Sequence, residues 1–443
     1  MLSKLKDILR KIAKYHRENS IFYLISVIHI AKYFLLKNYR KTRCLIDPTT
    51  EFFYKYRKFA NYFSIPLLIL GKYFERKKIF ISVNNEWNFS VGHFYSETDL
   101  AKRMQKLVDK YSGSQIWFTT SRKDILGETL YAFRSENFNI LIGGIKRLVL
   151  TFVAIKYPAI SIDASIGKED YIFGTTSLDS SAVYDDKSRQ RARLISNSPE
   201  FYPNKDKLGH YHNQKLKLMR NLNISDKYIV IQIKTQKGNG TFRPASPELY
   251  LESIKYFQDK GYEIVLAGRE MCPRIFLDNN VINYAGSKYA SALNDFLLIG
   301  HCSLVIASAS GFCMIAENLD KPILTINSIH LIQHFGRRTI LLPTLLSRRK
   351  ELFNARIQHQ YLCKYGPDCG HQTFDDLYIL HMVTSQEILE GAKELEEMLS
   401  SYVPSYTSLQ EKIRNNGGCP LLSDGLSRIS DYYLSKHGYF FDK

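Results

Sequence analysis

The chain has 443 residues, a formal net charge of +18 and an apolar content of 45%. This length predicts two or three domains, and the apolar content is normal for a globular protein with a large core. The positive charge predicts attraction to phosphate, acidic glycans or an anionic membrane. Nucleic acid is not expected as a partner, because the charge is concentrated in one amphipathic segment and no recognition motif occurs. Seven scattered cysteines without a C-x-x-C pair favour a reducing, cytoplasmic compartment.

Residues 1–45 are predicted to form a basic helical arm. Residues 1–43 carry eleven Lys and Arg against two acidic residues, which is half of the net charge. Met1–Arg17 has the basic amphipathic pattern of helices that lie on anionic bilayers, whereas the apolar run Ile21–Leu36 is short for a membrane span. Two interpretations stay open for this segment, and they are compatible with each other. Residues 1–37 either attach the protein peripherally to the inner face of the cytoplasmic membrane or form a helical hairpin that packs on the globular body.

Residues 46–222 are predicted to form a first α/β domain. Its first strand is the β-rich run Lys78–Val83, and a helix with one apolar side is predicted over Thr98–Lys110. The charged stretch 185–193 is predicted to be a solvated face, with a phosphate role for its arginines as the alternative. Further strands are predicted at Gln115–Thr119, Phe138–Ile142 and Ile160–Ala164.

The loop between that first strand and its helix, residues 84–97, is the first candidate site. It follows the carboxyl end of a strand, where open α/β sheets place their ligands. Gly92 allows an acceptor to approach the backbone closely. His93, Glu97 and Asp99 are the available bases for deprotonating a hydroxyl nucleophile. The alternatives are a structural hydrogen bond for His93 and dipole-matched carboxylates at a helix start for the other two.

Residues 223–345 are predicted to form a second α/β domain of repeated strand–loop–helix units. Strands are predicted at Tyr228–Ile233 and Glu263–Ala267, with the helix Glu248–Lys260 between them. The loop after the first of these strands lacks both the phosphate-loop order of ATPases and G-x-G-x-x-G. Its glycines and cations nevertheless suit a diphosphate. The candidate ligands are Lys234, Lys237, Gly238, Gly240 and Arg243.

The next strands of this domain add candidates at the same predicted sheet edge. Gly268 and Arg269 directly follow a strand, so they are expected to face the cleft. Ser287 ends a short strand in a small-residue loop. Asp295, in the apolar helix that comes next, is expected to be exposed.

The stretch Ser303–Glu317 is predicted to contain a buried strand, a tight turn and a helix, followed by a strand at Ile323–Ile326. The turn presents backbone N–H groups at a helix N-terminus, where the helix dipole favours phosphate. It is the predicted site for the diphosphate of a nucleotide-linked donor. Glu317 is expected either to hydrogen-bond the donor ribose or to be a carboxylate on the helix surface or at the helix C-terminus. The candidates in the turn are Ser308, Ser310 and Gly311.

Residues 346–443 are predicted to hold C-terminal helices and a tail. Thr384 or Ser385 caps a patterned helix, Gln386–Leu399. The loose Cys363–His371 cluster favours ordinary thiols over zinc, and no metal site is predicted. Residues 402–443 are predicted to be an irregular ordered tail.

A family resemblance rests on three blocks of the second domain: YIVIQIK, RPASPELYLESIKYFQDKGYEIVLAGRE and DFLLIGHCSLVIASASGFCMIAENLDKPIL. They resemble the C-terminal half of GT-B glycosyltransferases, above all a sequence-defined family of bacterial glycosyltransferases. The segments VGHFYSETDLAKRM and TSQEILEGAKELEEML are similar to other blocks of that family, so the match covers most of residues 78–400. It implies two Rossmann-like domains, with a nucleotide-sugar on the second and an acceptor on the first. It also makes the helix Gln386–Leu399 a candidate to cross back to the first domain, as terminal helices of GT-B enzymes commonly do. The implied setting is bacterial surface polysaccharide or glycolipid synthesis.

Three functional hypotheses follow. The first is a metal-independent GT-B glycosyltransferase without a cofactor beyond its nucleotide-sugar, since no D-x-D triplet of a metal-dependent GT-A enzyme occurs. The second is another enzyme on the same fold, such as a nucleotide-sugar epimerase or a pyruvyl transferase. The third is a non-catalytic protein that binds an anionic polymer or membrane through its basic surface.

Overall fold

The computed structural model describes residues 64–83, 91–120, 138–142, 149–150, 152–154, 157–160, 191–202, 205–235, 245–328, 335–348, 351–352, 358, 378–399, 403–415 and 424–441. Several predictions made above fall outside these residues and remain predictions. They are the arm at 1–45, the ligands Lys237, Gly238, Gly240 and Arg243, the Cys363–His371 cluster and most of the strand predicted at Ile160–Ala164.

The first unit is built around a three-stranded parallel sheet in the order β1-β2-β3. Its strands are confirmed where they were predicted. Side chains of β1 alternate between two layers: Ile79 and Ile81 pack toward helix α1, and Phe80 packs toward helix α2. The elements are α1 (Ser64–Arg76), β1 (Ile79–Val83), α2 (Val91–Leu107), β2 (Gln115–Thr120) and β3 (Phe138–Ile142).

The second unit contains a seven-stranded sheet in the order β13-β9-β8-β7-β4-β5-β6, in which every neighbouring pair is parallel. Its strands are β4 (Tyr228–Gln232), β5 (Glu263–Ala267), β6 (Ile282–Asn283), β7 (Val305–Ser308), β8 (Ile323–Ser328), β9 (Thr339–Pro343) and β13 (Arg428–Ile429). Between β9 and β13 the chain forms a small antiparallel sheet of β10 (Leu345–Arg348), β11 (Glu351–Leu352) and β12 (Tyr378–His381). Counted along the chain from β4, the strands lie in the doubly wound order 3-2-1-4-5-6-7. The predicted α/β class with Rossmann-like parallel sheets is confirmed.

Helices cover both faces of this sheet, and its strands are accordingly rich in buried apolar residues. Ile229 and Ile231 of β4 pack with α4, α5 and α8, whereas Tyr228 and Val230 pack with α3, α6 and α7. The helices are α3 (His212–Leu222), α4 (Leu251–Asp259), α5 (Arg274–Asp278), α6 (Ala292–His301), α7 (Gly311–Asn318), α8 (Ser385–Glu396), α9 (Ser408–Asn415) and α10 (Asp431–His437). Among the described helices, none is both long and apolar enough to cross a membrane.

The prediction of an irregular C-terminal tail was wrong. Strand β13 extends the large sheet beside β9, and α9 and α10 pack close to it. The tail is ordered because its aromatic residues, including Tyr433 and Phe440, fill the core on one face of the sheet. Helix α8 begins with a capping box of Thr384 and Glu387 and packs on α4, β8 and β9 of the second unit.

Candidate functional site

The doubly wound order places a crevice between the carboxyl ends of β4 and β7. These neighbouring strands are the point where the strand order reverses, which is where ligands bind in open α/β sheets. Two hydrogen bonds join the loops that follow them. The backbone N–H of Lys234 donates to Ser308 Oγ at 3.2 Å, and Ser310 Oγ donates to Gln232 Oε1 at 3.1 Å. The structure thus brings Lys234 together with the Ser308–Gly311 turn.

The two serine hydroxyls hold the shape of this turn. Ser308 is fully buried, and its Oγ also lies 3.1 Å from the hydroxyl of Tyr250. Ser310 is the N-cap of α7, where its Oγ accepts from the backbone N–H of Phe312 at 3.3 Å. The half-buried Gly311 then opens the helix. An anion at this position meets the first-turn N–H groups and the positive end of the helix dipole.

Gly268, at the end of β5, has a φ of +109° that favours glycine. A Cβ at this position would lie 3.1 Å from Gln232 Cγ, on the strand beside the crevice. Gly268 therefore leaves room for the Gln232 side chain at the end of the neighbouring strand.

Replacement of Gly268 by alanine is expected to lower the free energy of unfolding by about 1–3 kcal/mol, because it combines an unfavourable φ with a crowded Cβ. Gly113 is the matched control, since its φ is +67° but an added Cβ would have no atom within 4 Å. Urea unfolding of Gly268→Ala and Gly113→Ala measures the difference. Equal losses in the two variants would mean that the contact with Gln232 contributes nothing.

Arg269 and Asp295 form an ion pair beside the crevice, and the prediction that Asp295 is exposed was wrong. Its carboxylate is buried on α6, accepts from the Tyr284 hydroxyl at 2.8 Å and lies 3.5 Å from Arg269 Nη2. Burial raises the pKa of Asp295 to about 6, against the opposing effects of Tyr284 and Arg269. The Arg269 side chain itself is exposed.

Sequence reasoning missed Thr235 and Glu270. The backbone N–H and the hydroxyl of Thr235 both donate to Glu270 Oε2, at 2.5 and 2.6 Å, so the loop after β4 is tied to the loop after β5. Glu270 is the next residue after Arg269, and the signal that singled out Arg269, a charged residue just beyond a strand, applies to it as well. Ser287 lies further along the sheet, in the turn after β6, where its Oγ accepts from the N–H of Tyr289 at 3.2 Å.

The acceptor-side candidates lie on helix α2. The helix begins at Val91, seven residues before the predicted start, so Gly92, His93 and Glu97 are helical rather than part of a loop. Asp99 is buried, and its two carboxylate oxygens accept from Arg103 Nε at 3.1 and 3.0 Å. The prediction that Glu97 and Asp99 lie at a helix start was wrong, because the helix begins two turns earlier; Asp99 is instead held by Arg103. The base roles of His93 and Glu97 remain predictions.

A buried ionic network joins α2 to α7. Arg191 Nε lies 3.4 Å from Asp99 Oδ2, and Arg191 Nη2 lies 2.9 Å from Glu317 Oε1. The other oxygen of Glu317 accepts from the backbone N–H of Phe335 at 3.2 Å. Burial lowers the pKa of Arg191, but Glu317 and Asp99 outweigh that effect and raise it overall, so the guanidinium is charged.

The prediction of a solvated face for residues 185–193 was wrong for Arg191. Its side chain is 5% exposed, whereas that of Arg193, two residues further on, is 59% exposed. The difference arises because Arg191 meets two buried carboxylates, whereas Arg193 pairs with Asp424 while its own side chain points into solvent.

Apolar contacts reinforce this connection between α2 and the second unit. Tyr95 of α2 stacks on Phe296 of α6, with ring centroids 6.3 Å apart. Met104 of α2 belongs to the same buried cluster as Met314 and Ile315 of α7. The helix that carries the predicted bases thus packs directly on the helix whose N-terminus borders the crevice.

Comparisons with known proteins give structural neighbours at low similarity. No protein-family model and no curated protein matches the chain. The chain is similar to an E. coli heptosyltransferase, WaaC with ADP (13% identity, 60% of this chain and 93% of that chain, TM-score 0.37), and to E. coli ADP-heptose lps heptosyltransferase II (12%, 72% and 98%, 0.42). The chain is also similar to a glycosyl transferase family 9 structure from Veillonella parvula, with 10% identity over 72% of this chain and 98% of that chain and a TM-score of 0.39. These values do not place the chain in a family.

Proposed function

We propose that this protein is a glycosyltransferase that binds a nucleotide-sugar in the β4–β7 crevice and transfers the sugar to an acceptor hydroxyl. The observation that carries the proposal is the hydrogen bond between Lys234 N–H and Ser308 Oγ. It joins a basic loop to an anion-binding helix start at the switch point of a doubly wound sheet. The family resemblance of these same segments supports a sugar as the transferred group and bacterial surface polysaccharide or glycolipid as the product.

In the proposed reaction the second unit binds the donor and the first unit supplies the base. The diphosphate lies at the start of α7, where the N–H groups, Lys234 and a cation of the following loop stabilise the charge that develops as it leaves. His93 or Glu97 accepts the proton of the acceptor hydroxyl. The hydroxyl oxygen bonds to the anomeric carbon as the bond from that carbon to the diphosphate oxygen breaks, and the nucleoside diphosphate departs. Support for this division of roles comes from the packing of α2, which carries the proposed base, on α7, whose N-terminus is the proposed diphosphate site.

A substitution at Ser310 tests the donor site. Asp and Asn both cap helices well, but only Asp places a negative charge at the helix start. Ser310→Asp is therefore expected to weaken nucleotide-sugar binding at least about tenfold by repulsion of the diphosphate, and Ser310→Asn to bind nearly as the native protein does. Titration calorimetry with UDP-, GDP-, ADP-, CMP- and dTDP-sugars measures the affinities, and thermal unfolding checks that both variants fold.

The result that contradicts the proposal is the same affinity in both variants, or no binding of any nucleotide-sugar to the native chain. Product analysis then separates the enzyme classes. A transferase releases nucleoside diphosphate faster when an acceptor is present, whereas an epimerase converts the donor without one. A pyruvyl transferase leaves the nucleotide-sugar intact.

A further inference from the structure

Helix α1 presents an apolar face to solvent. Ile65, Leu68, Ile69 and Tyr73 are 70%, 41%, 66% and 52% exposed. Their spacing of three or four residues places them on one side of the helix. Exposed apolar residues that occur singly are normal, but a contiguous group on one helix face marks an interaction surface.

The opposite side of α1 fixes this face outward. Phe74 is buried in a cluster with Ile79 and Ile81 of β1. Gly71 lies so close to Tyr157 that an added Cβ would be 2.5 Å from the Tyr157 Cβ atom. The helix therefore cannot turn its exposed side inward without losing these contacts.

The exposed face is also cationic. Lys72 and Arg76 share the helical spacing of Ile65 and Ile69, and both are exposed. Lys77 directly follows the helix and is exposed as well. The single acidic residue of α1, Glu75, accepts a hydrogen bond from the Tyr157 hydroxyl at 2.5 Å.

A face that is both apolar and basic complements the interface of an anionic bilayer. At 13 residues α1 is about 20 Å long, which is too short to span a membrane and suits a helix lying in the interface plane. The basic segment 1–43 precedes α1 in the same chain, and 20 residues separate the two.

We propose that the exposed face of α1, composed of Ile65, Leu68, Ile69, Lys72, Tyr73 and Arg76, is a contact surface for anionic lipid. The face adds to any contact made by the arm and docks the folded body itself on the membrane. This proposal does not depend on the glycosyltransferase activity, since it concerns a different surface.

Vesicle binding of the full chain tests the apolar part. Vesicles of phosphatidylcholine, with and without added phosphatidylglycerol, are sedimented with the native protein and with a triple variant, Ile65→Ser, Ile69→Ser and Tyr73→Ser. Affinity for the anionic vesicles is expected to fall at least about tenfold, because three apolar side chains no longer enter the interface. The control is Met271→Ser with Leu277→Ser, which removes exposed apolar residues elsewhere and is expected to bind as the native chain does.

The cationic part is tested in the same assay. Lys72→Gln with Arg76→Gln is expected to lower the affinity for anionic vesicles about thirtyfold, and to leave binding to pure phosphatidylcholine unchanged. Anionic-vesicle binding unchanged in either set of α1 variants would overturn the proposal. So would a fall in melting temperature in the triple variant, which would show that another part of the chain covers the face. A loss of self-association without lipid would assign the face to a second copy of the chain.

Discussion

Replacement of Arg191 by methionine is expected to lower the free energy of unfolding by about 3–5 kcal/mol. The substitution keeps the apolar bulk of the side chain but removes the charge between Asp99 and Glu317, and all three side chains are buried. Asp99 retains Arg103 as a counterion, whereas Glu317 loses the guanidinium and retains the Phe335 N–H. The cost comes from leaving buried carboxylate charge without its counterion. Urea or thermal unfolding of Arg191→Met measures it directly.

Arg193→Met is the matched control, because it makes the same change two residues away at an exposed position. Its ion pair with Asp424 is at the surface, so a loss of at most about 1 kcal/mol is expected. A second substitution, Glu317→Gln, removes the carboxylate charge that Arg191 balances in the native protein. Added to Arg191→Met, it is expected to restore part of the stability that the first substitution removes. Equal losses at Arg191 and Arg193 would contradict a role for the network in joining α2 to α7.

The parallel sheet could be predicted from sequence because its strands carry their own signal. Strands buried on both faces are rich in apolar residues: Tyr228–Gln232 has four before Gln232, and Glu263–Ala267 has four after Glu263. Small or charged residues mark where such a run ends. The Ser308–Gly311 turn and Lys234 were found in this way. Strand β13 has only two residues, so no local pattern distinguishes it from a loop.

The burial of Arg191 and Asp295 could not be predicted, because it depends on partners distant in the chain. Arg191 reaches Asp99 across 92 positions and Glu317 across 126. A cationic residue in a polar stretch has the same local sequence pattern whether or not its side chain meets two buried carboxylates in the folded protein. The early start of α2 has a similar origin, since Phe94 and Tyr95 are helical residues packed against the second unit.

The pH dependence of stability is expected to change when Asp295 is replaced by asparagine. Burial raises the pKa of Asp295 to about 6, well above the value near 4 of an unfolded carboxyl group. Between pH 4 and pH 6 the folded protein holds a proton on Asp295 that the unfolded chain has released. The contribution of Asp295 to the free energy of unfolding is therefore complete below pH 4 and is lost as pH rises through 6. The loss approaches about 3 kcal/mol. Asp295→Asn does not titrate, so its stability relative to the native protein should rise by that amount from pH 4 to pH 7.

The comparison with the variant is needed because His301, at the C-terminal end of α6, acts in the opposite direction. Burial, followed by the neighbouring Lys215, lowers the pKa of His301 to about 4. The unfolded chain takes up this proton first as pH falls, so His301 removes stability at low pH and masks the Asp295 effect in the native protein. About 9 Å along the helix axis separates the two groups, so subtraction of the variant's profile cancels the histidine. A difference between the two profiles that stays constant from pH 4 to pH 7 would mean that the Asp295 carboxyl titrates normally. In that case Asp295, the ion-pair partner of Arg269, would stay charged over this pH range, and the charge at the edge of the proposed donor site would not change with pH.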